Sequence, residues 1–153
     1  MISDDLPILL DTNILIHVIR RSELGAKLIE DFELLTRPEP CLISYVTIGE
    51  LEALAARLEW GEQKREFIDT IRMNMVVVPI ERTPILKSYA AVDLCAHRAG
   101  RILGKNDLWI AATAVATESG LLTTDRDFYF DELIDSLLPE LALIDTDTGQ
   151  IVQ

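Results

Sequence analysis

The sequence predicts a three-layer α/β fold, a central and mainly parallel sheet of about five strands flanked by helices. Three observations predict it. Short apolar runs alternate along the chain with stretches of helical periodicity. Every gap between those runs except the last has room for a helix of about a dozen residues, the crossover that parallel neighbours need. The 153 residues also carry no Pro/Gly/Ser linker, internal repeat or low-complexity tract, so a single domain over 1–153 is expected.

The elements follow in order. Ile8-Leu9-Leu10 is a continuous apolar run, as expected of a strand buried on both faces, and an acid, Asp11, arrives where it ends. Ile14, Leu15, Val18 and Ile19 then recur at helical spacing. Ser22 to Leu35 reads as a second helix, with Leu24, Leu28, Phe32 and Leu35 on its apolar face, and Arg37-Pro38-Glu39-Pro40 stops it. Cys41 to Ser44 is a short buried strand. Thr47 opens a helix carrying Leu51, Leu54, Ala55 and Leu58, and Gly61 to Met73 continues as a further one. Met75 to Ile80 is the clearest strand, with three valines in a row. Thr83-Pro84 starts a helix that runs to Gly100. Asn106 or Lys105 opens an Ala-rich helix over Asp107 to Glu118, closed by Gly120. Leu121 to Thr124 and Leu141 to Ile144 are the remaining strands.

Composition narrows the function classes. With 49% hydrophobic and 26% charged residues the chain is globular rather than disordered. No apolar run approaches the ~20 residues that cross a bilayer, so no membrane partner is expected. Met1-Ile2-Ser3-Asp4-Asp5 lacks the basic region of a signal peptide, and Cys41 and Cys95 are isolated thiols, so a cytoplasmic protein is expected. The formal net charge of −12 argues on its own against nucleic acid. The acids then serve solubility, or bind cations that themselves meet an anionic substrate.

Each acid has a bland explanation. Asp11 caps a helix. Thr47-Ile48-Gly49-Glu50 matches a capping box, whose Glu reaches back to the cap. Asp107 sits in a first helical turn, favoured by the dipole. Asp125 and Asp127 are polar loop residues. Together they are harder to dismiss. Asp11 and Asp125 each follow a buried strand, while Glu50 and Asp107 are expected in first helical turns. In a parallel sheet those positions share one rim. Carboxylates gathered without a base repel one another unless a cation sits among them, and oxygen ligands suit Mg²⁺ or Mn²⁺.

These blocks carry a family resemblance. Leu10-Asp11-Thr12-Asn13, Glu50-Leu51, Asn106-Asp107-Leu108-Trp109-Ile110-Ala111-Ala112 and Leu122-Thr123-Thr124-Asp125-Arg126-Asp127-Phe128 resemble PIN-domain ribonucleases, above all the VapC toxins of toxin–antitoxin pairs. The likeness spans nearly the whole chain; the Asn-Asp-x-x-Ile-Ala-Ala and Thr-x-Asp-x-Asp-Phe blocks are specific, and the Glu block is weak alone. It implies a PIN-like fold and a metal-dependent endoribonuclease using Mg²⁺ or Mn²⁺. Asp11, Glu50, Asp107 and Asp125 would be the catalytic, metal-binding acids, with Asp127 a stand-in for Asp125. Thr123 would be the hydroxyl partner, with Thr12, Asn13 and Asn106 supporting. Lys105, Arg126, Arg20 and Arg21 are candidate RNA phosphate contacts; exposed solubilising bases explain each equally well. The resemblance further implies a homodimer and a small VapB-like antitoxin.

Two alternatives remain open on the sequence, a receiver-type Mg²⁺-binding signalling module and a catalytically inactive PIN-fold binding protein. A receiver needs an Asp after the third strand, where this chain has Pro79-Ile80-Glu81. His17 and His97 read as packed or surface histidines. Asp145-Thr146-Asp147-Thr148 mimics a phosphoryl-transfer signature that normally opens a domain, and Gly100 to Lys105 is one residue short of a P-loop.

Overall fold

The computed structural model describes residues 2–152, so the two ends of the expected 1–153 domain lie outside it. Five strands form one wholly parallel sheet: β1 (Ile8–Leu10), β2 (Leu42–Ser44), β3 (Val76–Val78), β4 (Gly120–Thr123) and β5 (Leu141–Leu143). Their spatial order is β3-β2-β1-β4-β5. The chain therefore builds outward from β1 to one edge, then returns to build the other side. The order reverses between β1 and β4, the kind of position where open α/β sheets bind ligands. A receiver-type sheet runs 2-1-3-4-5. With β3 at an edge instead of beside β1, the receiver alternative fails.

Among the described residues seven helices accompany the sheet: α1 (Thr12–Ile19), α2 (Glu23–Asp31), α3 (Tyr45–Arg57), α4 (Glu62–Asn74), α5 (Thr83–Arg98), α6 (Lys105–Ala116) and α7 (Asp131–Ser136). They bury both sheet faces, because alternate residues of β1 enter different cores. Ile8 and Leu10 pack with α1, α3 and α4 side chains such as Ile14, Leu15, Leu51 and Ile68. Leu9 packs on the other face with Val92, Ile110, Ala111 and Phe128. Each fully buried Leu or Ile contributes about 1.5–3 kcal/mol. That is why an unbroken apolar run is the right sequence for a central strand.

Several expected boundaries move. The second helix ends at Asp31 rather than Leu35, because Glu33 turns into positive φ (50°). Leu34 consequently enters the core and Leu35 stays exposed. The helix expected from Thr47 begins at Tyr45, capped by Ser44, whose Oγ accepts the Val46 N–H. The valine run, expected over Met75 to Ile80, is only three residues long and lies at the sheet edge, with Val76 47% exposed. Gly120 does not close α6; it opens β4. A Cβ there would stand 2.7 Å from Cγ2 of Ile2, so the small residue serves a close approach. Lys105, not Asp107, is the first residue of α6, with Gly104 as its cap. No helix among the described residues is long and apolar enough to cross a membrane.

Candidate metal centre

All five strands end at one rim. Leu10 pairs with Ile43 on one side and Leu122 on the other, so Asp11, Ser44 and Thr123 stand next to one another at the ends of adjacent strands. Asp11 leaves the strand in extended geometry and caps α1, its Oδ1 accepting the Thr12 N–H at 2.7 Å. Its Oδ2 accepts the Thr123 hydroxyl at 2.6 Å. With both oxygens engaged, Asp11 is 2% exposed. Burial pushes its carboxyl up to about 7; the Thr123 hydrogen bond works against that rise, and the charge of Asp107 adds to it.

Thr123 is also an acceptor. Its Oγ1 takes the Asp125 N–H at 2.9 Å, and Asp125 Oδ1 in turn takes the Asp127 N–H at 2.9 Å, capping a short 3₁₀ turn over Arg126–Phe128. On the other side, Thr12 Oγ1 donates to Glu50 Oε1 at 2.7 Å and lies 3.0 Å from Thr47 Oγ1. This overturns the capping-box reading: Thr47 and Glu50 sit inside α3, in a helix with no acid in its first turn, and both turn toward Thr12. A continuous hydrogen-bonded path thus joins Glu50, Thr12, Asp11, Thr123, Asp125 and Asp127.

Asp107, half-buried in the first turn of α6, joins them through its field. Burial raises its carboxyl to about 6, with further upward pushes from Asp125, Glu50 and Asp127 in that order. Its Oδ2 lies 3.2 Å from where a Cβ on Gly104 would be, so the carboxylate rests against a bare backbone. Asp125 acts on both Asp11 and Asp107, whereas the exposed Asp127 acts only on Asp107. Among the described residues the two ion pairs are Lys27–Asp31 and Arg126–Asp145, so no base neutralises the acids.

The donor set tests the metal expectation. It is all oxygen, ringed by neutral hydroxyls, and the carboxyls of Asp11 and Asp107 are pushed up by burial and by the neighbouring acids. Among the described residues no three His, Cys, Asp or Glu side chains stand close enough to hold a metal ion between them. Mg²⁺ does not need such a group, since it keeps several waters and binds through one or two carboxylates. The residues present fit such an ion.

Other expected residues divide. Lys105 is exposed at the start of α6, on the same rim as Asp107. Arg126 is exposed but leans on Asp145, its Nη2 3.6 Å from the Oδ2. Arg20 ends α1, about 12 Å along the helix from Thr12, and lines a small cleft with Arg21 and Lys64 instead. Thr12 supports Glu50 by its hydroxyl and Asp11 only by its N–H. Among the described residues neither Asn13 nor Asn106 donates to an acid; Asn13 is half-buried and Asn106 exposed. Asp145 to Thr148 is a polar turn closed on Asp145 Oδ1, and Trp109 stacks on Tyr89 at 4.3 Å, so neither joins the site. A cavity of about 430 Å³ beside Ile2, Ile8 and Phe32 opens at the start of β1, and none of these acids lines it. The gathered acids lie on the rim, apart from that cavity.

A parallel α/β domain with uncompensated acids gathered where its strand order reverses is the class that fold and site define. The sequence pattern of the PIN domain matches residues 8–132, most of the chain. The protein belongs to the PIN domain family. Its fold is also that of solved toxin–antitoxin structures. VapBC2 from Rickettsia felis, bound to a DNA fragment from their promoter, superposes with a TM-score of 0.73 at 24% identity, covering 89% of this chain and 98% of that one. VapBC-1 from nontypeable Haemophilus influenzae gives 0.72 at 24% identity, covering 90% and 98%. Mycobacterium tuberculosis VapC20, a Sarcin-Ricin loop cleaving toxin, gives 0.58 at 13% identity, covering 86% and 97%. No curated protein sequence matches the chain.

Proposed function

We propose that this PIN domain is a metal-dependent endoribonuclease, using Mg²⁺ or Mn²⁺, and the toxin of a VapBC-type pair. One observation carries the reading: Asp11, Glu50, Asp107 and Asp125 converge without a neutralising base. Structural likeness to VapBC complexes and to a toxin that cleaves the Sarcin-Ricin loop supports RNA as the substrate and a small VapB-like antitoxin as the partner. A homodimer acting in the cytoplasm completes the proposal.

Asp11, Glu50, Asp107 and Asp125 would hold the ion, with Asp127 at the outer margin. Bound there, the ion would supply Lewis-acid activation of a water and neutralise charge on the phosphodiester. The chain's own contribution is placement. The Thr123 hydroxyl holds Asp11 and the Thr12 hydroxyl holds Glu50, each as an acceptor. Lys105 and Arg126, exposed beside the acids, would meet flanking phosphates as point charges. Burial favours the protonated carboxyl of Asp11 and of Asp107, so a cation that needs both ionised competes directly with protons.

The test is RNA cleavage by the wild type, Asp11→Asn and Asp107→Asn, with Mn²⁺ and with EDTA. The wild type should cut only with Mn²⁺, and both variants should fall to background while remaining folded by circular dichroism. Equal cleavage by all three proteins in Mn²⁺ would sink the proposal. A catalytically inactive PIN protein would instead show no cleavage in any of them.

A further inference from the structure

Thr47 is fully buried, it is not the cap of its helix, and its hydroxyl touches neither a substrate position nor an acid. Its one side-chain hydrogen bond runs to Thr12. The direction of that bond follows from counting protons. A hydroxyl has a single O–H to donate. Thr12 spends its own on Glu50, which as a carboxylate only accepts, at 2.7 Å. In the 3.0 Å contact between the two hydroxyls Thr12 must therefore be the acceptor and Thr47 the donor. The polarity is fixed from Thr47 through Thr12 to Glu50.

From this we infer that Thr47 is a positioning residue for the metal centre, acting through Thr12 to hold Glu50. Thr47 and Glu50 lie three residues apart on one face of α3, while Thr12 opens α1. The relay ties the two helices together at the point where Glu50 leaves its own. Thr12 and Thr47 are both buried, so water does not compete for the bond between them. The opposite side of the centre is built the same way, with Thr123 donating to Asp11 while its oxygen accepts a backbone N–H. An accepting hydroxyl is polarised into a better donor, so Thr47 strengthens the bond that Thr12 makes. The inference rests on the metal-site reading of Glu50.

The experiment measures Mn²⁺ affinity calorimetrically on the full chain, together with kcat and KM for RNA cleavage. Thr47→Val keeps the shape and removes the donor; Thr47→Ser keeps the donor. The Val variant should bind Mn²⁺ about three- to tenfold more weakly, the scale of one net hydrogen bond. It should lower kcat at subsaturating Mn²⁺ with KM for RNA unchanged, and the Ser variant should restore both. Thr12→Val cuts the relay in its middle, so adding Thr47→Val to it should cost nothing further. If Thr47→Val fails to fold, Thr12→Val alone must still weaken Mn²⁺ binding. Wild-type affinity in the Val variants, an unrescued Ser variant, or additive losses would overturn the relay. A wild type that neither binds Mn²⁺ nor cleaves RNA would instead bring down the metal-site reading, and this inference with it.

Discussion

Asp11 is the one buried carboxylate among the described residues, and its burial has a sign that can be measured. Its folded carboxyl titrates near 7, against an unfolded value of about 3.9. Between those values the folded state holds a proton that the unfolded state has released, so stability falls as pH rises from about 4 to about 7. Above that range the ionised group is a standing cost of a few kcal/mol in the metal-free protein. Asp11→Asn removes the cost. Thermal melts in EDTA should show the variant about 4–8 °C more stable at pH 8, a difference of roughly 2 kcal/mol after the loss of one hydrogen bond. At pH 5, about one unit above the unfolded value, only a fraction of that cost is present and the lost hydrogen bond offsets it, so the two melts should nearly coincide. A variant less stable than wild type at pH 8 would mean that the Thr12 and Thr123 hydrogen bonds outweigh desolvation.

At the scale of elements, the α1–α2 pair shows how tightly the scaffold beneath the site is drawn. A Cβ on Gly25 would stand 2.2 Å from the His17 carbonyl oxygen, whereas one on Gly49 would meet nothing within 4 Å. Gly25→Ala should therefore destabilise by about 1–3 kcal/mol through overpacking. Gly49→Ala, inside a helix and facing open space, should stabilise by roughly 0.5–1 kcal/mol. Urea midpoints of the two variants, moving in opposite directions, check the contrast. The same scale explains what the sequence made legible. Buried strands such as Ile8–Leu10 announce themselves because nothing polar fits between two packed faces. The valines of β3 mislead because β-propensity says nothing of whether a strand is central or at an edge. The spacing of Thr47 and Glu50 satisfies a local rule, yet a partner 35 residues away in sequence takes the hydroxyl. The 3₁₀ turn and α7 escape notice because elements of three and six residues are too short to show a period. Asp11, Asp107 and Asp125 are readable as strand and helix junctions, whereas Glu50 lies inside α3 rather than in its first turn; which hydroxyl serves which acid depends on packing.

At the scale of the whole molecule, a net charge of −12 and a cluster of unpaired acids mean that the fold carries electrostatic repulsion in its resting form. A divalent ion that relieved it would bind only the folded chain. At a concentration 100 times its dissociation constant, Mn²⁺ should add about 2.7 kcal/mol and raise the Tm by roughly 5–10 °C. EDTA should reverse the shift, and Asp11→Asn should blunt it. A Tm indifferent to Mn²⁺ would deny that the acids share an ion. The place of β1 carries one more consequence. The strand made near the start of the chain sits between β2 and β4, and Thr123 reaches Asp11 across 112 residues. While the polypeptide is still emerging from the ribosome, the half bearing Asp11 and Glu50 lacks the half bearing Asp107 and Asp125. If the proposed site holds, a nascent or truncated chain would be chemically silent, and two fragments divided near Gly100 should gain a working centre only when they are brought together.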